Sequence, residues 1–395
     1  MSPRHTIQLS AALALLGSIV AMPASAATLT VGPGQTHATP CKAFAAAQAG
    51  DTINITGNTT YRGDVCAIKQ NKLTIRGVNG RPKIDAGGKN ALGKGTWVVQ
   101  GNDIVIENVE MFGSKVPDRN GAALRLEGTN FTLRQAFIHD NENGILSGVN
   151  TASNIVIENS EFGHNGNGTG QTHNLYIGNA GSLVFRFNYS HDADVGHNLK
   201  SRARINTIAY NRFSSTVPGQ SGTTAAGKPS YEIDLPNAGT SYIIGNVIHQ
   251  PAAHSNSNLV SYGAEGPTNP AQDLYVVNNT FLNDDSTRGT FVMIGTKVTK
   301  KALLQNNIFS GTGAVTNQVG AVEKTNYRSV APGFVNRAAW DLRPTANALV
   351  VNAGTAPPTV NGISLKPAYV YQHSASAAAR PVVKTIDVGA YESAL

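Results

Sequence analysis

Ile104-Val-Ile-Glu-Asn108 returns as Ile155-Val-Ile-Glu-Asn159. Looser copies are Leu183-Val-Phe-Arg-Phe-Asn188, Thr207-Ile-Ala-Tyr-Asn211, Tyr242-Ile-Ile-Gly-Asn246, Tyr275-Val-Val-Asn-Asn279 and Leu303-Leu-Gln-Asn-Asn307. One further unit carries Gln135 in place of Asn. Each unit is a short β-branched run closed by a polar turn residue. The closing positions are 27, 24, 29, 23, 35, 33 and 28 residues apart. Strands recurring at such a period, with no helical periodicity between them, predict a solenoid of β-coils. An Asn in a stacked turn can bond the backbone and the Asn of the next coil, about 4.8 Å away. Composition agrees: 41 Gly and 38 Asn with only 14% charged residues argue for many tight turns and against bundles, coiled coils and disorder.

Residues 1–26 read as a signal peptide. Arg4 and His5 precede an apolar stretch from Ala11 to Met22, and Ala24-Ser25-Ala26 is a small-residue cleavage site. Residues 27–395 are then one exported domain, secreted or periplasmic, with no membrane span expected. The net charge of +7 suits an acidic polymer as partner. No nucleotide-binding loop or zinc spacing is present to suggest another ligand, nucleic acid is not expected, and the chain is expected to be a monomer. Cys41 and Cys66 are the only cysteines. In an oxidising compartment they predict a disulfide.

Asn ladders on irregular coils of this size resemble the right-handed parallel β-helix of the pectate-lyase-like superfamily. Pro40 to Ile53 resembles the short helix that plugs the first coil in such proteins. Asp341-Leu-Arg, Val351-Asn-Ala-Gly354 and Asp387-Val-Gly-Ala-Tyr-Glu392 resemble the closing segments of bacterial β-helix proteins. The resemblance implies an all-β fold with a short N-terminal helical cap. It does not fix a function, because this superfamily hosts lyases, hydrolases, epimerases, esterases and adhesins.

A second strand stacks alongside the first. Its rows begin at Ala123, Asn174, Asn198, Glu232 and Asn258. Alternation turns Leu175, Ile177, Leu199, Ile233 and Leu235 inward. Arg125, Tyr176, Lys200 and Asp234 then form an outward column flanked by Asn174, Asn198, Arg202, Glu232 and Tyr262; Arg125, Asn174, Asn198, Glu232 and Tyr262 are the substrate-binding candidates, and Tyr176, Lys200, Arg202 and Asp234 the catalytic ones. His173 and His197 precede two of these strands. The strip reads as a groove for an acidic polysaccharide; the alternative is a solvated polar face.

Gly196-His-Asn-Leu-Lys-Ser-Arg202 resembles the Lys-Ser strand of the chondroitinase B and β-helical alginate lyase family. That resemblance implies a polysaccharide lyase with Lys200 as base and calcium on the uronate carboxylate. The family's acidic pair before the lysine is mirrored by Asp192 and Asp194, the candidate metal ligands. Asp234 stands where the family has an arginine, and Arg202 is the candidate replacement. Like charge from Arg202 and Arg204 favours a free amine on Lys200, and Tyr176, His173 or His197 would supply the acid. Glu232 and Asp234 alternatively offer a glycosidase carboxylate pair. A uronan epimerase and a non-catalytic carbohydrate-binding or adhesin β-helix complete the alternatives.

Overall fold

The computed structural model describes residues 1, 26–215, 228–381 and 384–393. The expected signal peptide and most of the loop from Ser214 to Ser230 lie outside the described residues. β-Branched strands three to nine residues long wind into parallel coils that stack into three sheets. The first sheet has 12 strands, from Thr28–Val31 to Val322–Lys324. The second has 10, from Cys66–Ile68 to Ala314–Thr316, and the third has 11, from Thr60–Arg62 to Tyr327–Ser329. One apolar core runs through the column, with Ile106, Leu133, Ile157 and Phe185 all fully buried.

The turn from the first to the third sheet explains the Asn repeat and corrects its alignment. Two adjacent turn positions favour Asn for different reasons. The first has left-handed backbone: Asn108, Gln135 and Asn159 have φ of 54°, 54° and 50°. Asn tolerates that region better than branched residues. The next position points inward, and there Asn188, Asn211, Asn246, Asn279 and Asn307 form the ladder, all fully buried. Each Nδ2 donates to the next Oδ1, at 3.2, 2.9, 3.0 and 3.0 Å, and Asn307 continues to Asn326 at 3.0 Å. Asn108, Gln135 and Asn159 are therefore not rungs. Val109, Ala136 and Ser160 occupy the inward position in their coils.

The helix Pro40–Ala46 closes the N-terminal end, with Pro40 in its first turn and Phe44 packed edge-on against Trp97 at 5.0 Å. A Cys41–Cys66 disulfide ties it to the first strand of the second sheet. The C-terminal segments fold as three antiparallel hairpins along the outside of the coils. Just after the last hairpin, Arg380 is buried against Glu392 and the Gly389 and Ala390 carbonyls.

Candidate functional site

The second sheet carries the predicted outward column. Tyr176, Lys200, Asp234 and Ser261 are successive in-register neighbours on the strands Leu175–Ile177, Leu199–Ser201, Ile233–Leu235 and Asn258–Tyr262. Arg125 is separated from Tyr176 by the coil that carries Leu146. It lines a different, smaller cavity of about 200 Å³.

The column is not an open ridge. Lys200 is only 9% exposed. Its Nζ lies 3.2 Å from Asp234 Oδ2 and 2.8 Å from Glu265 Oε1. The like charge expected from Arg202 and Arg204 is thus opposed by two carboxylates. Glu265 also holds Arg202 at 2.5 Å, and Arg202 Nε donates to the Tyr176 hydroxyl at 2.8 Å. The Lys200 ammonium and the Arg202 guanidinium lie 5.9 and 5.7 Å from the centre of the Tyr176 ring.

Two histidines stack behind these groups. The rings of His173 and His197 are 4.6 Å apart and nearly parallel. The His197 backbone N–H donates to His173 Nδ1 at 3.0 Å, and the Tyr231 N–H donates to His197 Nδ1 at 3.1 Å. Both rings therefore carry their proton on Nε2. Burial, with Lys200 and Arg202 nearby, pushes His173 down to about 3. Burial, His173 and Lys200 push His197 down as well. Gly196 makes this approach possible, since a Cβ there would lie 1.7 Å from the Thr172 carbonyl oxygen.

His173, Tyr176, Lys200 and Arg202 line one cavity of about 510 Å³. Two loops complete it. One brings Asp118 and Arg119 and is held by Glu142, whose carboxylate accepts the Val116 and Gly121 N–H groups at 3.0 and 2.7 Å. The other brings Asn167 and Thr172, and Asn167 Nδ2 donates to the Arg119 carbonyl at 3.0 Å. Asp234 and His197 stand behind Lys200 and His173, with His197 Nε2 3.6 Å from Asp234 Oδ2.

Several expected binding residues point elsewhere. Asn174, Asn198 and Glu232 are fully buried. They belong to a second inward ladder, in which Asn141, Asn165, Asn174 and Asn198 pass hydrogen bonds at 3.0, 2.9 and 2.9 Å and Asn198 ends on Glu232 at 2.5 Å. Burial drives the Glu232 carboxyl up to about 8, with Asp192 adding like charge and the Asn198 bond opposing. A fully enclosed Glu232 cannot face a sugar, so the glycosidase pair with Asp234 is not assembled. Tyr262 is also fully buried. It pairs in register with inward-facing Leu235 and donates its hydroxyl to the Gly239 carbonyl at 2.6 Å, so it is core; Ser261 holds the outward place.

The calcium reading does not fit. Asp192 converges with His164 and His191, not with Asp194, in the one group of three metal-ligand types among the described residues. His191 Nδ1 lies 2.6 Å from Asp192 Oδ2. Calcium takes six to eight oxygen ligands, and two imidazoles do not supply them. Glu265, Arg119 and Asn237, whose Oδ1 accepts from Arg202 Nη1, were not singled out from the sequence. All three lie in loops after column or third-sheet strands, and their charge or polarity is the only trace they leave there.

No family model matches the sequence, and no curated protein matches it. Solved structures do. Pectate lyase Pel9A aligns over 95% of this chain and 98% of its own, with a TM-score of 0.62 at 16% identity. An alginate lyase from Paenibacillus sp. str. FPU-7 aligns over 77% of this chain and 99% of its own, at 14% identity and a TM-score of 0.43. Pectin methylesterase PemA from Erwinia chrysanthemi aligns over 58% and 80%, at 13% identity and a TM-score of 0.39. Its three continuous parallel sheets give the chain a right-handed parallel β-helix fold similar to that of pectate lyase Pel9A.

Proposed function

We propose that this protein is an exported polysaccharide lyase that cleaves a uronic-acid-containing polymer by β-elimination. The observation that carries the reading is the cavity in which Lys200, Arg202 and Arg119 meet Tyr176 and His173. The proton beside a uronate carboxylate is weakly acidic, and its removal puts charge onto the carboxylate oxygens. Arg202 and Arg119 present always-charged planar forks to such a carboxylate. A uronate competes with Glu265 for Lys200 and Arg202. Lys200 acts as the base: its ammonium first gives up a proton to solvent, and the amine then takes the uronate proton. The released electron pair forms a carbon–carbon double bond as the bond to the leaving glycosidic oxygen breaks. The Tyr176 hydroxyl, oriented by Arg202, protonates that oxygen. His173 stays neutral near neutral pH and donates through Nε2.

The test is ultraviolet absorbance of the conjugated uronate product on alginate, polygalacturonate and glucuronate-containing glycosaminoglycans. Lys200→Arg keeps the positive charge facing Asp234 and Glu265 but cannot serve as a base. It should lower turnover by at least about 10²-fold with little change in thermal stability. New reducing ends without the chromophore would mean hydrolysis, and inverted sugar stereochemistry without cleavage would mean epimerisation. Either outcome, or a Lys200→Arg variant as active as wild type, overturns the reading.

A further inference from the structure

Away from the cavity, the turn from the third to the second sheet holds a second cluster of chemistry-bearing side chains. His139, Gly163 and His191 are in-register neighbours on three successive coils. The residue after each has left-handed backbone: Asp140, His164 and Asp192, with φ of 51°, 57° and 51°. The two columns together alternate His-Asp, Gly-His, His-Asp.

The first and third units are built alike. His139 Nδ1 lies 2.6 Å from Asp140 Oδ2 and Nε2 lies 3.5 Å from Glu110 Oε1. His191 Nδ1 lies 2.6 Å from Asp192 Oδ2 and Nε2 lies 3.3 Å from Glu161 Oε1. The middle unit differs. Gly163 has no side chain, and the His191 ring fills the space: a Cβ on Gly163 would lie 2.5 Å from its Cε1. The ring meets His164 edge-on, with centroids 5.4 Å apart. His164 Nδ1 is buried and has no hydrogen-bond partner among the described residues. One ligand atom from each of His164, His191 and Asp192 lies within 4.8 Å of the others. Tetrahedral ligands at about 2.1 Å from zinc stand about 3.4 Å apart, so an ion would require the His191 Nδ1–Asp192 Oδ2 pair to open from 2.6 Å and any wider pair to draw in.

We propose that His164, His191 and Asp192 bind one divalent transition-metal ion of the zinc class. Two imidazoles and one carboxylate match zinc, cobalt and nickel, whereas calcium and magnesium require oxygen donors. Three protein ligands leave one coordination position for water. The ion would join neighbouring coils where the chain enters the site. His164 precedes the loop that carries Asn167 and Thr172 into the cavity. Asp192 precedes the strand Leu199–Ser201, which carries Lys200. The role is that of a staple beneath the cavity, independent of the reaction proposed above.

The test uses chelator-treated full-length protein titrated with cobalt(II) and zinc(II). One equivalent should bind, cobalt should develop a visible d–d band, and the melting temperature should rise; calcium should do neither. His164→Gln removes a half-buried ring whose Nδ1 has no hydrogen-bond partner among the described residues, so the metal-free variant should melt like wild type and bind at least about 10²-fold more weakly. His139→Gln, altering the matching dyad, should bind like wild type. No stoichiometric binding by wild type, or equal binding by His164→Gln, overturns the proposal.

Discussion

Glu232→Gln should reshape the pH dependence of stability. Glu232 is fully buried, its Oε2 accepts from Asn198, and its Oε1 has no hydrogen-bond partner among the described residues. Burial raises its carboxyl from 4.5 to about 8. The folded state therefore binds more protons than the unfolded chain across that interval. The resulting stability is fully present below the unfolded value and is lost as pH rises through the folded one. Between about pH 5 and about pH 7 the loss is on the order of 2–3 kcal/mol, since each pH unit corresponds to about 1.4 kcal/mol. Gln is neutral throughout and cannot contribute this slope. It can accept the Asn198 bond, but its N–H₂ then faces a position with no acceptor, at about 1–3 kcal/mol. The variant should therefore be the less stable protein at the acid end and lose that deficit, or reverse it, towards neutrality. Urea unfolding of both proteins at several pH values measures the difference directly, with other titrating groups cancelling. A wild-type-minus-variant difference that stays constant across the interval would refute a protonated, buried Glu232.

The other predictions concern the histidine stack. His173 is pushed from 6.5 down to about 3, so its stabilisation is present above 6.5 and lost as pH falls towards 3; His173→Gln, which keeps an acceptor for the His197 N–H, should show a shallower acid limb in the same titrations. Gly196→Ala would set a Cβ 1.7 Å from the Thr172 carbonyl oxygen, so chemical denaturation should show a loss of at least about 2 kcal/mol.

The coils were legible because strand alternation and turn chemistry are local. Their ladder was misread by one position in three coils because two neighbouring positions both favour Asn. Asn278-Asn279 and Asn306-Asn307 carry both roles in one turn: Asn278 and Asn306 have φ of 53° and 56°, while Asn279 and Asn307 are the buried rungs. Tyr176, Lys200 and Asp234 were legible as a column because each follows a single inward apolar residue, Leu175, Leu199 or Ile233, at the same point of its strand. That signal failed at Asn258–Tyr262, where Leu259, Val260, Ser261 and Tyr262 are all fully buried. With both faces covered, alternation no longer distinguishes in from out. Glu232 failed for a related reason. It sits one residue before its strand, at the end of an inward polar ladder, so strand alternation does not govern its direction. Glu265 was beyond reach altogether. It follows Lys200 by 65 residues, and the loop that returns it to Lys200 and Arg202 is fixed by coil stacking. What the strand pattern conveys is which side chains face outward. Whether an outward lysine is solvated or clamped depends on loops whose paths the strand pattern does not encode, and that difference separates the exposed ridge expected from the enclosed, charge-paired cavity found.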